Sequence, residues 1–465
     1  MTATTGVVLI VVLVLFFALL AIRLHVGLSL MASALVGVLL LRSTGAGVST
    51  VSNQPFSTAA DYSLTIIPLF IVMGIFAVRA GLAQAGFDLA SAALRRLPGG
   101  PALASLAGSG MFAAVTGSSV ATVATMARVS TDAIVRAGYS IRLAAGVVCA
   151  GGTLGVLIPP SIVLVLYGVV TEESIGQLLI AGIGPGLVTI AAYAITIVSL
   201  VTWQRRRAAR VLVRQGAGNG NDSTAQLGES ADDPSASVAE PGEPSRLDIT
   251  GFLYLAVIFA VSIGTIYLGL ATPTEAASFG ALAALVILLL RTRPPAWLHE
   301  IKEALTEAVG LTAMTFLLMV GAGVFTYVLA LSGASTSLVS TVTEADLPPY
   351  LVLVLCLAIL LPMGMFLDGI SMVLIAAPLL HPILVGYGFD GIWIGVLVVK
   401  VAEMALITPP VGMNAFVYSG AVREAGLGTV FRGVVPFIVA DLLVVAVLIA
   451  FPAIVTFLPS MSGAQ

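Results

Sequence analysis

The sequence predicts an all-α protein that crosses a membrane many times and consists of two inverted repeats. Hydrophobic residues make up 59% of the 465 residues and charged residues only 9%, whereas a soluble domain has about 25% charged residues. Two apolar segments, 142–168 and 392–418, each carry a Pro-Pro pair. Several further landmarks recur at the spacing that separates these two pairs. Together these observations favour a membrane protein that contains two copies of one structural repeat.

Composition also limits the class of protein. The formal net charge is −3 and the mean hydropathy is +1.11, so we expect a lipid bilayer around the chain and no nucleic-acid partner. A transmembrane helix needs about 20 apolar residues, which leaves room for roughly ten to twelve crossings. Cys149 and Cys356 both lie in apolar runs and are interpreted as packing residues. The first 22 residues lack a basic start and a clear cleavage site, which favours a retained span over a signal peptide.

The first repeat is predicted to occupy residues 1–203. Its apolar runs predict spans near residues 5–22, 26–42, 62–80 and 178–201, with a polar loop at 43–61. Residues 101–135 are apolar but are interrupted by small and polar residues at 116–119. This pattern favours a re-entrant hairpin that opens to the cytoplasm over a single span. The broken helix at 142–168 follows the hairpin.

Residues 204–248 differ from the chain around them. They begin with a basic stretch and continue with Gly, Ser, Pro and acidic residues. Such a composition buries too little apolar surface to fold, so we expect a disordered cytoplasmic linker. The second repeat, residues 249–465, is predicted to contain spans near 250–269, 276–291, 308–331 and 433–458, a periplasm-facing hairpin at 350–385 and the broken helix at 392–418.

The internal repeat can be checked by register. The Pro-Pro pairs begin at positions 159 and 409, and the segments 137–140 and 387–390 align at the same offset of 250. Pro185 aligns with Pro436, and Gly117 with Asp368, at an offset of 251. The bias of Lys and Arg places residue 1 outside and gives each half an odd number of crossings, so the second half is predicted to be inverted.

The two proline pairs point to a binding site. Proline removes a backbone N–H and clashes with the carbonyl one turn back, so two in a row should break a helix. In a membrane, irregular backbone is tolerated only where it is packed in protein or lines a cavity. Broken helices at corresponding places in two repeats are the pattern that marks the binding site of a transporter.

The first predicted site combines the hairpin tip Gly117, Ser118 and Ser119, together with Thr122, with the break at 151–161. Hydroxyls and carbonyls freed by proline are oxygen donors that suit a small cation, and the helix ends beside a break can hold an anion. The alternative is that small residues in a helical hairpin only permit close packing.

The second predicted site is centred on Asp368, at the tip of the other hairpin. An ionisable group at that depth costs about 2.5–3.5 kcal/mol on insertion scales and suggests a function; a helix N-cap is the alternative. Its expected partners are Gly364, Thr408, Pro409, Gly412 and Asn414. Lys400 and Glu403 share a helix face and are predicted to form an intramembrane ion pair, with a part in coupling or substrate contact as the alternative.

Catalytic chemistry is not predicted. His25, His299 and His381 do not cluster with a carboxylate or a cysteine in the sequence, and no phosphate-binding loop is present. The segment GSSVA at 117–121 lacks the second glycine of a nucleophile elbow and a plausible base. We therefore predict that the protein is not an enzyme and has no catalytic residues.

Longer motifs resemble a known family. GGTLGVLIPPSI followed by TEESIGQLLIAGIGPGL, and MFLDGISMVLIAAPLLHPI followed by ITPPVGMNAFV, resemble the large membrane subunit of tripartite ATP-independent periplasmic (TRAP) transporters, the C4-dicarboxylate large-permease family. The resemblance covers nearly the whole chain. The segment 204–248 is longer and more polar than is usual in that family.

The resemblance implies sodium-coupled uptake of an organic anion across the bacterial inner membrane by an elevator motion. It implies two partners, a small four-span membrane subunit and a periplasmic substrate-binding protein, and no cofactor besides sodium as coupling ion. The expected sodium ligands are Gly117, Ser118, Ser119, Gly152, Pro159, Gly364, Asp368, Thr408, Pro409, Gly412 and Asn414. The expected substrate contacts are Ser119, Thr122, Thr153, Pro160, Ser161 and Asn414.

Other functions remain open from the sequence alone. A stand-alone ion-coupled anion carrier of the same architecture would need no binding protein. An intramembrane enzyme would need an acid, a base or a metal cluster at a cavity, and a channel could not move its substrate uphill.

Overall fold

The computed structural model describes residues 3–42, 44–94, 96–216, 248–334, 337, 339, 340, 344 and 347–462. These residues form helices and connecting turns, and no strand occurs among them. The first half contains α1 (Ala3–Ala21), α2 (Val26–Leu41), α3 (Thr44–Ala59), α4 (Ile66–Arg79), α5 (Leu82–Leu94), α6 (Gly100–Thr116), α7 (Ser119–Arg136), α8 (Ile141–Gly152), α9 (Ile162–Thr171), α10 (Ile175–Ala181) and α11 (Ile183–Gly216). The all-α prediction is confirmed.

The second half repeats much of this order. It contains α12 (Ile249–Tyr267), α13 (Pro273–Arg291), α14 (Trp297–Ser332), α15 (Pro349–Met363), α16 (Gly369–Gly386), α17 (Gly391–Ala405), α18 (Met413–Ala421), α19 (Leu427–Ala450) and α20 (Ala453–Met461). Among the described residues, seven helical segments are long and apolar enough to cross a membrane: Tyr62–Arg79, Ile175–Gln204, Ile249–Tyr267, Pro273–Arg291, Pro294–Ser332, Gly369–Gly386 and Leu427–Ala450.

Two stretches differ from the sequence prediction. The polar loop predicted at 43–61 is wrong over most of its length, because Thr44–Ala59 is a helix. Its hydroxyls bond back to carbonyls one turn earlier, as Thr50 Oγ1 does to the Ala46 oxygen at 2.8 Å, so its polarity does not prevent helix formation. Helix α11 continues to Gly216, past the predicted start of the linker at 204. Residues 217–247 of the predicted linker lie outside the described residues.

The helices divide into two groups by packing. In the scaffold group, α1–α4 and α12–α14, helix α2 packs along α14 and α4 packs on α13 and α14. In the hairpin group, α6–α11 and α15–α20, the hairpin α6–α7 packs on α8, and the hairpin α15–α16 packs on α17. Helix α5 contacts α6 in one group and α12 in the other.

The hairpin group has cores made from both halves of the chain. One buried cluster contains apolar side chains between positions 102 and 201 and is completed by Phe437 and Ala440 of α19. Another joins Val123 of α7 to Ala415 and Tyr418 of α18. Burying these side chains stabilises the group, so the two halves of the chain form one packed body here.

Helix boundaries repeat at the predicted spacing. Helices α7 and α16 begin at 119 and 369 and end at 136 and 386, an offset of 250 at both ends. Ser140 and Asp390, also 250 apart, each accept a hydrogen bond from a backbone N–H as side-chain N-caps of α8 and α17. The Pro159–Pro160 and Pro409–Pro410 peptide bonds are both cis.

One close contact is repeated with its residues exchanged. In the first half, a Cβ on Gly155 would collide with Ala113 of α6. In the second half, a Cβ on Gly364 would collide with Ala405 of α17. Positions 155 and 405 are 250 apart and positions 113 and 364 are 251 apart, so both pairs correspond in the repeat to within one residue. The hairpin therefore approaches the broken helix equally closely in both halves, and glycine and alanine have changed sides.

Candidate functional site

Both proline pairs lie in interruptions of helical structure. Helix α8 ends at Gly152, a 3-10 turn covers Thr153–Val156, and α9 begins only at Ile162. Helix α17 ends at Ala405, and α18 begins at Met413. The backbone N–H of Asn414 donates to the Leu406 oxygen across the second gap at 3.0 Å, so the two helical pieces stay attached.

The first hairpin tip is a tight turn closed by hydroxyl groups. Gly117 has a φ of +62°, a conformation that favours glycine because it has no Cβ. Ser118 is the N-cap of α7, and its Oγ accepts from the Ala121 N–H at 3.3 Å. The Thr122 hydroxyl donates to the Ser118 carbonyl oxygen at 2.8 Å. Thr122 thus shapes the tip from within.

The second hairpin tip carries Asp368 at the N-cap position of α16. Its carboxylate caps no backbone N–H of the helix. It accepts a hydrogen bond from the Ser371 hydroxyl instead. The alternative considered from the sequence, a simple capping aspartate, therefore does not describe this side chain.

The two tips open into one cavity of about 50 Å³. Its lining comes from both hairpins, from the first break with α9, and from α17, and consists of Gly117, Ser118, Ser119, Val120, Val156, Val163, Asp368, Gly369, Ile370 and Glu403. The sequence predicted two sites, one for each repeat. It could not show that hydroxyls of the first tip and a carboxylate of the second share one space.

The predicted ion pair between Lys400 and Glu403 needs correction. Lys400 Nζ lies 2.5 Å from Asp441 Oδ1 of α19, and both side chains are buried. The Tyr193 hydroxyl donates to the same carboxylate at 2.7 and 2.8 Å, and its ring lies 5.5 Å from the ammonium group. The helix-face argument considered only residues of one helix, whereas the lysine turns to a neighbouring helix.

Asp441 was missed although a signal was present. It is an acidic residue inside a 24-residue apolar helix, and an ionisable group there calls for a partner. The rule that selected Asp368 would have selected Asp441 as well.

Glu403 faces the cavity. Its side chain is buried, its Oε1 lies against Gly369 at the start of α16, and its Oε2 has no hydrogen-bond partner among the described residues. Ser119 lines the same cavity as the carboxyl group. Glu403 thus belongs with Asp368, Ser118 and Ser119.

Asn414 is a second buried polar side chain without partners in the described part of the chain. Neither its Nδ2 nor its Oδ1 has a hydrogen-bond partner there, and it is fully buried. Its amide lies beside Gly152, at the end of α8, and the Ser119 carbonyl oxygen lies against the same glycine. Three of the predicted site residues therefore meet at this point.

The remaining predicted residues lie elsewhere. Thr153 donates to the Ala150 oxygen at 2.7 Å and contacts the Tyr193 hydroxyl at 3.1 Å. Ser161 caps α9, and Thr408 donates to the Met404 oxygen at 2.7 Å. Pro160 faces α4 and α12 of the scaffold group, whereas Pro159 is buried and Pro409 is exposed. Gly364 packs on Ala405, and Gly412 has a φ of +57°.

One histidine does have an acidic neighbour, contrary to the expectation from the sequence. His381 Nε2 lies 3.5 Å from Glu173 Oε1, and its Nδ1 lies 2.9 Å from the Tyr167 hydroxyl. Burial of the Glu173 carboxyl group raises its pKa, and the charge of Asp390 acts in the same direction. This cluster joins the end of α9 to α16, away from the residues that line the cavity.

Comparisons with known proteins agree with this architecture. The family model described as "Tripartite ATP-independent periplasmic transporter, DctM component" matches residues 13–454. The chain is 33% identical to the C4-dicarboxylate TRAP transporter large permease protein DctM of Pseudomonas aeruginosa, over 89% of this chain and 88% of that protein. It is 28% identical to the sialic acid TRAP transporter large permease protein SiaM of Vibrio cholerae, over 94% and 95% of the two chains.

Two further comparisons extend the range of relatives. The chain is 29% identical to the ectoine/5-hydroxyectoine TRAP transporter large permease protein UehC of Ruegeria pomeroyi, over 99% of both chains. The crystal structure of the Alcanivorax borkumensis YdaH transporter aligns with a TM-score of 0.58 at 15% identity and covers 88% of this chain and 90% of that one. The family match and the relatives identify a membrane transporter subunit rather than an enzyme, and the chain belongs to the DctM family of TRAP transporter large permeases.

Proposed function

We propose that this chain carries an organic anion with a carboxylate group into the bacterial cell, driven by the sodium gradient across the inner membrane. The observation that carries the proposal is the shared cavity, where the hydroxyls of one hairpin tip meet Asp368 of the other. Sodium prefers oxygen ligands, as hard cations do. Bound cations would make the cavity attractive to an anionic substrate, because opposite charges stabilise one another strongly in a low dielectric.

The substrate is proposed from the relatives and from the site. Three relatives are named as permeases for C4-dicarboxylates, sialic acid and ectoine, and each of these compounds carries a carboxylate. In this chain the buried Asn414 amide, with no partner among the described residues, is a suitable donor for a carboxylate oxygen. We place the substrate between Asn414 and the first hairpin tip.

The proposed motion is that of an elevator, in which the hairpin group moves against the scaffold group. Each hairpin packs on its own broken helix, and both halves share buried clusters within the hairpin group. These shared clusters would let the hairpin group move as a unit. Two related halves offer two states of similar energy for this motion.

The proposed partners are a small four-span membrane subunit and a periplasmic substrate-binding protein, as the tripartite family implies. The alternative is a stand-alone carrier of the same architecture. Purification from native membranes separates these two functions: we expect the small subunit to co-purify, whereas a chain that transports alone would contradict the tripartite function.

Uptake into proteoliposomes tests the coupling. The complete system is reconstituted, and labelled succinate, sialic acid and ectoine serve as probes. We expect accumulation of one probe above its outside concentration only with an inward sodium gradient and added binding protein. Uptake that follows a proton or potassium gradient equally well would overturn sodium coupling. Equilibration without accumulation would indicate a channel.

A further inference from the structure

A crevice of about 340 Å³ lies where the hairpin group meets the scaffold group. Helices α3 and α14 and the turn between α3 and α4 line it on the scaffold side, and Val169 and Val170 of α9 line it on the hairpin side. Ligand pockets have volumes of about 300–1,000 Å³, so the crevice has room for a small molecule. Among the described residues it shares none with the cavity at the hairpin tips.

The internal repeat relates this crevice to a contact that is closed in the other half. The first break packs on α4, where Pro160 faces Met73 and Ala77 across a gap of only about 10 Å³. The residues 250 positions later on α14 are Gly323 and Tyr327, and both line the crevice. Both prolines of the second break are exposed. One of two equivalent contacts is thus closed, and the other is open.

The proposed elevator motion would exchange these two contacts. The hairpin group would leave α4 with its first break and approach α14 with its second, because the two halves of the chain offer equivalent states. The crevice would then change its shape or close. A ligand shifts an equilibrium toward the state that it binds better, so a molecule in the crevice would oppose the motion. This step rests on the proposed function.

The charge of the lining favours a cationic ligand. Asp61 is the one charged side chain among the described residues that line the crevice. Its Oδ1 accepts from the Ser63 N–H at 2.8 Å, and it forms no ion pair within the described part of the chain. A carboxylate attracts an ammonium group and repels an organic anion. Tyr327 adds an aromatic ring to the lining, which can attract the same cation.

The rest of the lining suits a ligand with an apolar body. Val169, Val170 and Met319 contribute apolar side chains, and covering them removes apolar surface from water. Polar side chains that can bond to the rim of a ligand come from α3 and α14, namely Gln54, Ser57, Thr58 and Thr326. The lining therefore combines one anion, one aromatic ring and an apolar wall.

We propose that this crevice binds a small amphipathic cation, an ammonium group on an aromatic body, and that the bound molecule holds the hairpin group in the state of this structure. Asp61 pairs with the ammonium group, and Val169 and Val170 contact the aromatic body. Such a molecule inhibits uptake without competing with the substrate, because it does not occupy the cavity at the hairpin tips.

Binding is tested first, without transport. The purified transporter in lipid nanodiscs is titrated with naphthylethylamine, and the rise of the unfolding temperature is followed. Naphthylethanol and naphthylacetate are the neutral and anionic probes of matched shape. We expect the amine to bind about tenfold more tightly than the alcohol, since a hydrogen bond to a charged group is stronger than a neutral one. We expect no binding of the acetate.

A pair of variants locates the bound amine. Asp61→Asn should weaken amine binding about tenfold, to the level of the alcohol. Asp132→Asn makes the same chemical change at an exposed position of α7 and should stay within about twofold of the wild type. Equal binding of the three probes, or an unchanged amine affinity in Asp61→Asn, would overturn the inference.

A cavity-filling variant tests the site from within the chain. Ala330 is exposed and lines the crevice, so Ala330→Trp places a large side chain there. We expect this variant to lose amine binding, whereas Val309→Trp, at an exposed position of the same helix outside the crevice, keeps it. Unchanged amine binding in Ala330→Trp refutes the site. If Ala330→Trp does not fold, judged by gel filtration, the titration of Asp61→Asn decides.

The uptake assay keeps this inference apart from the proposed function. In the reconstituted system, saturating amine should lower the maximal rate and leave the substrate concentration for half-maximal uptake unchanged. A rise of that concentration alone would show competition with the substrate and refute the inference. Binding without any effect on uptake would refute the hold on the hairpin group. If sodium does not drive uptake, the proposed function fails, whereas the titrations still decide whether the crevice binds the amine.

Discussion

The two halves share a backbone plan but differ in how their breaks are surrounded. Pro159 and Pro160 are buried, whereas Pro409 and Pro410 are exposed. The first break is covered by helices of the scaffold group, since Pro160 faces Met73 of α4. The same sequence feature therefore unwinds a helix in two different environments. A proline pair sets where the helix is interrupted, and the neighbouring helices decide what the interruption faces.

The halves also differ in charge at matching positions. The helix starts pair Asp368 with Ser118, and not with Gly117 as the sequence alignment had it. At the same spacing of 250, Thr153 corresponds to Glu403 and Ala150 to Lys400. The first half thus has two hydroxyl residues and an alanine where the second half has three ionisable groups. Because burying a charge is costly without a partner, concentrating the charges in one half lets them neutralise one another or share a ligand. The two repeats thus share their backbone arrangement, but the ionisable side chains at these matching positions belong to the second half.

We expect the largest loss of stability at Lys400, which is in an ion pair and whose counterpart in the first half is Ala150. Lys400→Met leaves Asp441 buried and unpaired, which should cost about 3–5 kcal/mol of stability. Thermal unfolding in detergent measures it. Adding Asp441→Leu should restore much of the loss, because no buried charge is left alone. A wild-type unfolding temperature for Lys400→Met would contradict the pairing.

The exchanged glycine contact offers the next test. Gly155→Ala places a methyl group against Ala113 and should lower stability by about 1–3 kcal/mol, as overpacking does. The change should be partly reversed by Ala113→Gly, which moves the glycine to the side it occupies in the second half. Thermal unfolding in detergent measures both variants. If the double variant is no more stable than Gly155→Ala, the contact between residues 155 and 113 does not cause the loss of stability.

A comparison of the two hairpin tips isolates the role of charge. We expect Asp368→Asn to raise the sodium concentration for half-maximal uptake about tenfold, equivalent to about 1.4 kcal/mol, in protein that is still inserted. The change in Ser118→Ala should be about threefold or less, since only a hydroxyl is lost. Sodium titration of uptake in proteoliposomes measures both. If both variants raise this sodium concentration equally, the two hairpin tips contribute equally to sodium-dependent uptake, and the charge of Asp368 has no special role.

The smallest effect is expected at Thr153, the counterpart of Glu403. Thr153→Val removes the hydrogen bonds to Tyr193 and to the Ala150 oxygen and should cost about 1 kcal/mol. Sodium affinity should not change, because Thr153 does not line the cavity. A weakened affinity for sodium, measured in the same titration, would extend the ion site into the first break.

Much of this organisation could be predicted from the sequence because it depends on local rules. The proline pairs locate both interruptions, and the spacing of 250 aligns the helix boundaries, since each follows from residues close in sequence. The partners of Lys400 could not be predicted, because Asp441 and Tyr193 come from helices far away in the chain. The same holds for Glu403, whose nearest neighbours belong to both hairpins. The polarity of residues 44–59 was misleading, because hydroxyl groups can bond within a helix.

The shared cluster that Phe437 and Ala440 complete has a consequence for biogenesis. The apolar side chains between positions 102 and 201 that form this cluster are covered only when α19 has been synthesised. The nascent first half leaves the ribosome with that face open, and it stays so while more than two hundred further residues are translated. Lipid tails are as apolar as these side chains, so we expect lipid to cover this face until α19 arrives. Premature termination before residue 427 would leave the cluster without its α19 residues.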